Sequence, residues 1–177
     1  MIIFINGPFG VGKTTVAERL VKRLPGGLLF DPEWIGFVVK RTWHRLVHYS
    51  DYQDDRLWRR LTVLSVRALA GAGRPLVVPM SIWRPDYFAE IVGRLRRGKV
   101  PVHHVCLTAT PATLHARLTQ RGDAPGSFAF QRIEPCVAAF QSPLFDVRLP
   151  TDDQTPDALV TTILRDLDRI YKIHPSC

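Results

Sequence analysis

Between Gly7 and Thr14 the chain reads Gly-Pro-Phe-Gly-Val-Gly-Lys-Thr, and residues of these types at this spacing suit one task, holding a polyphosphate. Glycines at 7, 10 and 12 let the backbone curl until successive N–H groups point at an anion, and a helix starting directly behind adds the partial positive charge of its N-terminus. The eight residues match GxxxxGK[ST] at every fixed position. The pattern assigns Lys13 to the β- and γ-phosphates, the Thr14 hydroxyl to Mg²⁺ and Thr15 to the α-phosphate. Pro8, Phe9 and Val11 complete the loop, Pro8 and Phe9 stiffening it. ATP and Mg²⁺ are therefore the expected cofactors.

Such a loop needs a strand before it and a helix after it, and the sequence supplies both. Met1 to Asn6 is an apolar run, and Val16, Ala17, Leu20, Val21 and Leu24 recur at helical spacing until Pro25-Gly26-Gly27. Leu28-Leu29-Phe30 reads as a short buried strand ending at Asp31. Asp54 to Ala70 reads as a helix carrying Leu57, Leu61, Leu64, Ala68 and Leu69 on one face. Pro75 to Met80 is a third strand, Asp86 to Arg97 a helix with Tyr87, Phe88, Ile91, Val92 and Leu95 inward, Val100 to Leu107 a fourth strand, and Phe145 to Leu149 a short fifth. Thr110-Pro111 and Thr155-Pro156 each pair an N-cap with proline at the first helical position, the second opening a helix through Tyr171.

Continuous apolar strands alternating with helices imply a parallel sheet covered on both faces. The expected class is α/β: a single three-layer P-loop NTPase domain over residues 1–177, of the nucleotide-kinase type, with a five-stranded parallel sheet and a small lid at 121–131. At 177 residues the chain has the size of one domain. Its three cysteines, 106, 136 and 177, lie far apart with no metal-ligand spacing. A cytoplasmic location is expected, since the first residues read as a strand rather than a leader and no run reaches the roughly 20 apolar residues of a membrane span. The net charge is +8 and the isoelectric point about 9.9. The arginines are dispersed and no nucleic-acid-binding motif accompanies them, so nucleic acid is not an expected partner.

Ile5-Asn6-Gly7 with its loop, Phe30-Asp31-Pro32-Glu33, Gly36-Phe37, Leu57-Trp58-Arg59, Val78-Pro79-Met80-Ser81 and Ile91-Val92-Gly93-Arg94-Leu95-Arg96 resemble the tunicamycin-resistance ATP-binding proteins. The likeness continues through Val102-His103-His104, Arg117-Leu118, Cys136-Val137 and Ser142-Pro143, to about Asp153. The resemblance implies an ATP-binding protein that protects a bacterium from tunicamycin, a nucleoside antibiotic with a fatty-acyl tail, on a scaffold similar to nucleotide kinases and antibiotic phosphotransferases.

Further site residues follow from position. Asp31 ends the second strand, and the carboxyl ends of parallel strands face the ligand crevice. There it either accepts the proton of an acceptor hydroxyl, as in the similar small-molecule kinases, or caps the helix after Pro32. Arg117 and Arg121 lie four apart on one helical face leading into the lid; they either clamp the nucleotide, as in nucleotide kinases, or form a solvated basic helix end. Arg132, beyond the lid, is a third arginine of this kind. Trp34, Phe37, Arg41, Met80, Trp83, Arg84 and Tyr87 follow the second and third strands and are candidates for the acceptor pocket. His103 and His104, adjacent in a strand, point to opposite faces and read as core.

Two functions are compatible with these residues. One is a phosphotransferase moving the γ-phosphoryl group of ATP to a hydroxyl of the antibiotic or a nucleoside-like molecule. The other is an ATP-dependent protein that sequesters the drug unaltered. No [NT]KxD tetrapeptide is present to specify guanine. The last helix carries a polar face of mixed sign, which favours packing on the sheet over lying on a membrane. The oligomeric state is not legible.

Overall fold

The computed structural model describes residues 1–33, 51–98, 100–145 and 147–172. Strand β1 (Ile2–Asn6) leads into helix α1 (Lys13–Arg23), followed by β2 (Leu28–Leu29), a 3-10 turn (Tyr52–Asp54), α2 (Arg56–Ala70) and β3 (Leu76–Pro79). Then come α3 (Pro85–Arg97), β4 (Val102–Thr108), α4 (Pro111–Arg121), the short helices α5 (Phe128–Gln131) and α6 (Ile133–Ala139), β5 (Arg148–Pro150) and α7 (Pro156–Tyr171). The five strands form one sheet in the order β2-β3-β1-β4-β5 with every pair parallel. The α/β class and the parallel five-stranded sheet are those expected from the sequence.

The central strand β1 is buried throughout, and the two-residue period of a strand divides its side chains between two cores. Ile3 and Ile5, with Val77, Val105 and Leu107, meet α1, α4 and α7. Ile2 and Phe4, with Leu76, Val78 and Cys106, meet α2, α3 and α6. His103 and His104 divide in the same way, both buried: His103 lies edge-on to Tyr171 at 6.1 Å and His104 to Phe88 at 4.8 Å. Thr110 and Thr155 cap α4 and α7 as expected, their hydroxyls accepting the N–H of Thr113 at 3.3 Å and of Ala158 at 3.2 Å. Helix α7 packs on the sheet through Leu159, Val160, Ile163, Leu164 and Leu167. Among the described residues no helix is long and apolar enough to cross a membrane.

Three local expectations are corrected. The second strand is not buried: β2 is an edge strand, and Leu29 is 41% exposed. The fifth strand is Arg148–Pro150 rather than 145–149; Phe145 precedes it and joins the core, packed at 4.7 Å on Phe140 and 5.1 Å on Phe88. In α2 the leucine stripe faces outward, with Leu57 and Leu64 exposed, while Trp58, Arg59, Thr62, Val63, Val66 and Ala70 turn to the sheet. This helix is apolar on more than one face, so periodicity alone leaves its rotation open. The indole of Trp58 and the β-branched Val63 and Val66 fill the space over β1 and β3, and Arg59 is carried inward on the same side because Glu90 meets it at 2.6 Å.

Trp58 also connects this core to the site, its Nε1–H donating to the carbonyl of Pro32 at 3.2 Å. Trp58→Ala is expected to cost about 3 to 5 kcal/mol, the usual loss for a fully buried indole. Chemical denaturation measures this as a fall in midpoint at unchanged slope.

Candidate active site

The phosphate loop is anchored by a residue that is fully buried and polar, Asn6, at the carboxyl end of β1. Its Oδ1 accepts the N–H of Gly7 at 2.9 Å and of Ile82 at 2.8 Å, and its Nδ2 donates to the carbonyl of Ile82 at 2.9 Å. One side chain thus ties the start of the loop to the segment leaving β3. Gly7 is required for packing: a Cβ there would stand 2.5 Å from the carbonyl oxygen of Leu107, at a φ of +147°. Gly12 adopts φ +96°, the left-handed region, and serves as the N-cap of α1 without offering any side-chain acceptor. The first N–H groups of α1 therefore have no capping side chain, which is the arrangement an anion completes.

Lys13 donates from Nζ to the carbonyl of Pro8 at 2.9 Å and lies 5.6 Å from the centroid of Phe9. Burial lowers its pKa to about 8, opposed by the charge of Glu33. A bound phosphate would favour the charged ammonium. ATP affinity is accordingly expected to hold steady below about pH 8 and to fall above it by about tenfold per unit while the free lysine deprotonates and the complex does not. Titration calorimetry from pH 7 to 9.5 measures the break.

Gly10, Gly12, Lys13, Thr14, Thr15, Arg117 and Arg121 line one open cavity of about 370 Å³. The two arginines singled out by their spacing do converge on the loop, but they are held differently. Arg117 donates to the hydroxyl of Thr151 at 2.8 Å, to the carbonyl of Thr151 at 2.7 Å and to the carbonyl of Val11 at 3.5 Å, linking the loop to the segment after β5. Arg121 pairs with Asp123 at 2.6 Å and 3.0 Å just beyond the end of α4. Thr14 and Thr15 are exposed within the cavity. A glycine cap without an acceptor, an ammonium satisfied by a carbonyl and an exposed Thr14 hydroxyl together fit a polyphosphate with its Mg²⁺.

Asp31 is half-buried beyond β2. One carboxylate oxygen accepts the N–H of Glu33, two residues on, at 2.8 Å; the helix it is expected to cap lies outside the described residues. Burial raises its pKa, against the Glu33 N–H and the charge of Lys13, which lower it. The carboxylate and the lysine of the phosphate loop therefore lie within electrostatic reach of each other.

The acceptor-pocket candidates separate. Met80 is fully buried in the core. Tyr87 has a guanidinium carbon 4.1 Å from its ring centroid from each of Arg59 and Arg84, and donates its hydroxyl to Asp54 at 2.6 Å. Arg84 pairs with Asp86 at 2.9 Å. Trp83 is half-buried next to Arg132. Trp34, Phe37 and Arg41 lie outside the described residues. Within the lid range, Phe128 of α5 meets Phe9 of the loop edge-on at 5.7 Å. Asn6 and Thr151 are the functional residues that sequence reasoning passes over. Asn6 carries a signal, a polar residue closing an apolar strand, whereas Thr151 carries none.

The AAA domain profile matches residues 2–143. This chain belongs to the AAA domain family. No curated protein sequence matches it. As a structure, this AAA domain is similar to the tunicamycin resistance protein of Deinococcus radiodurans, at 24% identity and a TM-score of 0.81, covering 99% of this chain and 98% of that one. It is similar to a sugar kinase from Janibacter, at 21% identity, a TM-score of 0.71 and coverage of 97% and 96%. A gluconokinase from Sinorhizobium meliloti follows at 18% identity and a TM-score of 0.68, with coverage of 96% and 93%. At these identities the likeness establishes a shared P-loop, kinase-like fold for the AAA domain.

Proposed function

We propose that this chain is an ATP-dependent phosphotransferase whose acceptor is a hydroxyl of tunicamycin or of a nucleoside-like small molecule, and that it thereby gives resistance to the drug. The observation that carries the reading is the cavity in which Lys13, Thr14, Thr15, Arg117 and Arg121 converge, with Asp31 in electrostatic reach of Lys13. Support comes from the sequence resemblance to tunicamycin-resistance proteins and from the structural likeness to a tunicamycin resistance protein and to kinases.

Backbone N–H groups of the loop and of α1 hold the phosphates, and Lys13 exchanges the Pro8 carbonyl for phosphate oxygens. The Thr14 hydroxyl would hold Mg²⁺, which would supply neutralisation of phosphate charge. Arg121 stabilises charge on the transferred group, and Arg117 positions the loop through Thr151 and Val11. The acceptor oxygen forms its bond to the γ-phosphorus as the bond from that phosphorus to the β–γ bridging oxygen breaks. ADP leaves, and the hydroxyl proton passes to Asp31, whose burial makes it a stronger proton acceptor than an exposed aspartate.

The test is tunicamycin-stimulated ADP release by Asp31→Asn, which retains the capping oxygen and removes the base. A loss of about 10² to 10⁴ in kcat with little change in the KM for ATP is expected. Wild-type turnover in this variant would leave Asp31 as a cap only.

A further inference from the structure

A second group of polar side chains gathers on the acceptor side of the crevice, and the phosphate loop does not use it. Arg132, directly after α5, places its guanidinium carbon 4.9 Å from the ring centroid of Phe128 and 5.8 Å from that of Trp83. Its Nε is buried without a hydrogen-bond partner among the described residues, which is costly for a charged donor unless a ligand completes it. The aromatic bed on which it lies runs back to the loop, because Phe128 meets Phe9 and Phe9 meets Lys13. Lys13, Phe9, Phe128, Arg132 and Trp83 thus form one continuous row from the phosphate site outward.

Just before the 3-10 turn is Asp51, a carboxylate only 8% exposed. One of its oxygens accepts the N–H of Gln53 at 2.9 Å, and the other takes no hydrogen bond from the described residues. The Gln53 side chain donates to the carbonyl of Ser81 at 2.8 Å, fixing this turn against the carboxyl end of β3, two residues before Trp83. Burial and the neighbouring charge of Asp54 raise the pKa of Asp51, while the Gln53 N–H and the charges of Arg132 and Arg84 act to lower it. Arg132, 5.8 Å from the Trp83 ring, and Asp51, whose turn is tied through Gln53 to Ser81, thus flank the same segment after β3. Arg84 is already occupied by Asp86 and Asp54, so among the described residues whose charge acts on Asp51, Arg132 is the guanidinium with hydrogen bonds still to give.

We infer that Asp51 and Arg132 are the pair that recognises the acceptor, and that they select an uncharged, ring-bearing molecule. Such a molecule offers a donor to Asp51 and an acceptor to Arg132 along one edge, as a diol or an imide does, with a flat face against Trp83. The inference rests on the phosphotransferase reading and narrows its substrate class. One carboxylate matched to one unpaired guanidinium is neutral as a pair; an acid acceptor would add a second negative charge beside a buried one, which is unfavourable.

The experiment compares wild type, Asp51→Ala and Arg132→Ala, with tunicamycin and D-gluconate as probes. It reads phosphate transfer by ADP release and binding by calorimetry in the presence of ADP and Mg²⁺. Each variant is expected to raise the KM and Kd for tunicamycin by about 10- to 100-fold, the usual effect of removing a hydrogen bond to a charged group, with the KM for ATP unchanged. The double variant is expected to fall short of the product of the two single effects. Wild type is expected to leave D-gluconate unphosphorylated. Tunicamycin transfer with unchanged KM in both variants overturns the pair and leaves the phosphotransferase reading standing. Preference of the wild type for D-gluconate overturns the uncharged class. Tunicamycin binding that is weakened in both variants, without transfer by the wild type, upholds the pair and overturns phosphotransfer. If the wild type neither binds nor phosphorylates either probe, both readings fall.

Discussion

Lys13→Ala is expected to lower tunicamycin-dependent ATP turnover on the order of a thousandfold, while the protein stays folded. The size follows from removing a preorganised charge that acts on the transferred phosphoryl group, where single-donor losses reach about 10² to 10³ in rate. The fold is expected to survive because this ammonium does not stabilise it. Burial lowers its pKa to about 8, so keeping it charged in the folded protein already costs free energy. The alanine variant should therefore melt no lower than wild type. Lys13→Arg is not expected to restore the rate, since a planar guanidinium cannot take the place of a compact ammonium between Phe9 and the Pro8 carbonyl. Steady-state kinetics and a thermal melt on the same preparations check both halves. A variant with full turnover, or one that unfolds, contradicts this account of Lys13.

Asn6→Ala is expected to be the opposite kind of variant, one that damages fold and site together. It leaves the N–H of Gly7 and both the N–H and carbonyl of Ile82 without their partner in a buried position. Each such group costs about 1 to 3 kcal/mol when stranded, and partial relaxation brings the expected total to about 3 kcal/mol. The loop is then free to leave its position against β3, and ATP affinity should fall on the order of tenfold, since about 1.4 kcal/mol of lost preorganisation is enough for that. Denaturation and nucleotide titration measure the two effects. Asn6→Asp keeps the acceptor for the two N–H groups but cannot donate to the Ile82 carbonyl and buries a charge, so it should fare no better.

The elements around the loop are legible in the sequence because each carries a local cause. Glycines at 7, 10 and 12 are needed for the curled backbone, and Thr-Pro pairs at 110 and 155 start helices whichever tertiary partners they meet. Apolar runs at β1, β3 and β4 can be satisfied only inside a covered parallel sheet. What is not legible depends on distant partners. The rotation of α2 is set by how Trp58 fills the space over the sheet and by Glu90 meeting Arg59 from another helix. Arg117 owes its position to Thr151, 34 residues away, and the turn after Asp51 is held by Gln53 reaching Ser81. Asp31 reads as cap or base because one carboxylate can be both, and its bond to the Glu33 N–H leaves both readings standing.

The measurement that tests the central claim most directly is the mass of the drug itself. Tunicamycin incubated with the protein, Mg²⁺ and γ-labelled ATP should gain one labelled phosphate, and should gain none with Lys13→Ala. Tunicamycin recovered unchanged from a protein that binds both it and ATP would contradict phosphoryl transfer and leave sequestration as the reading.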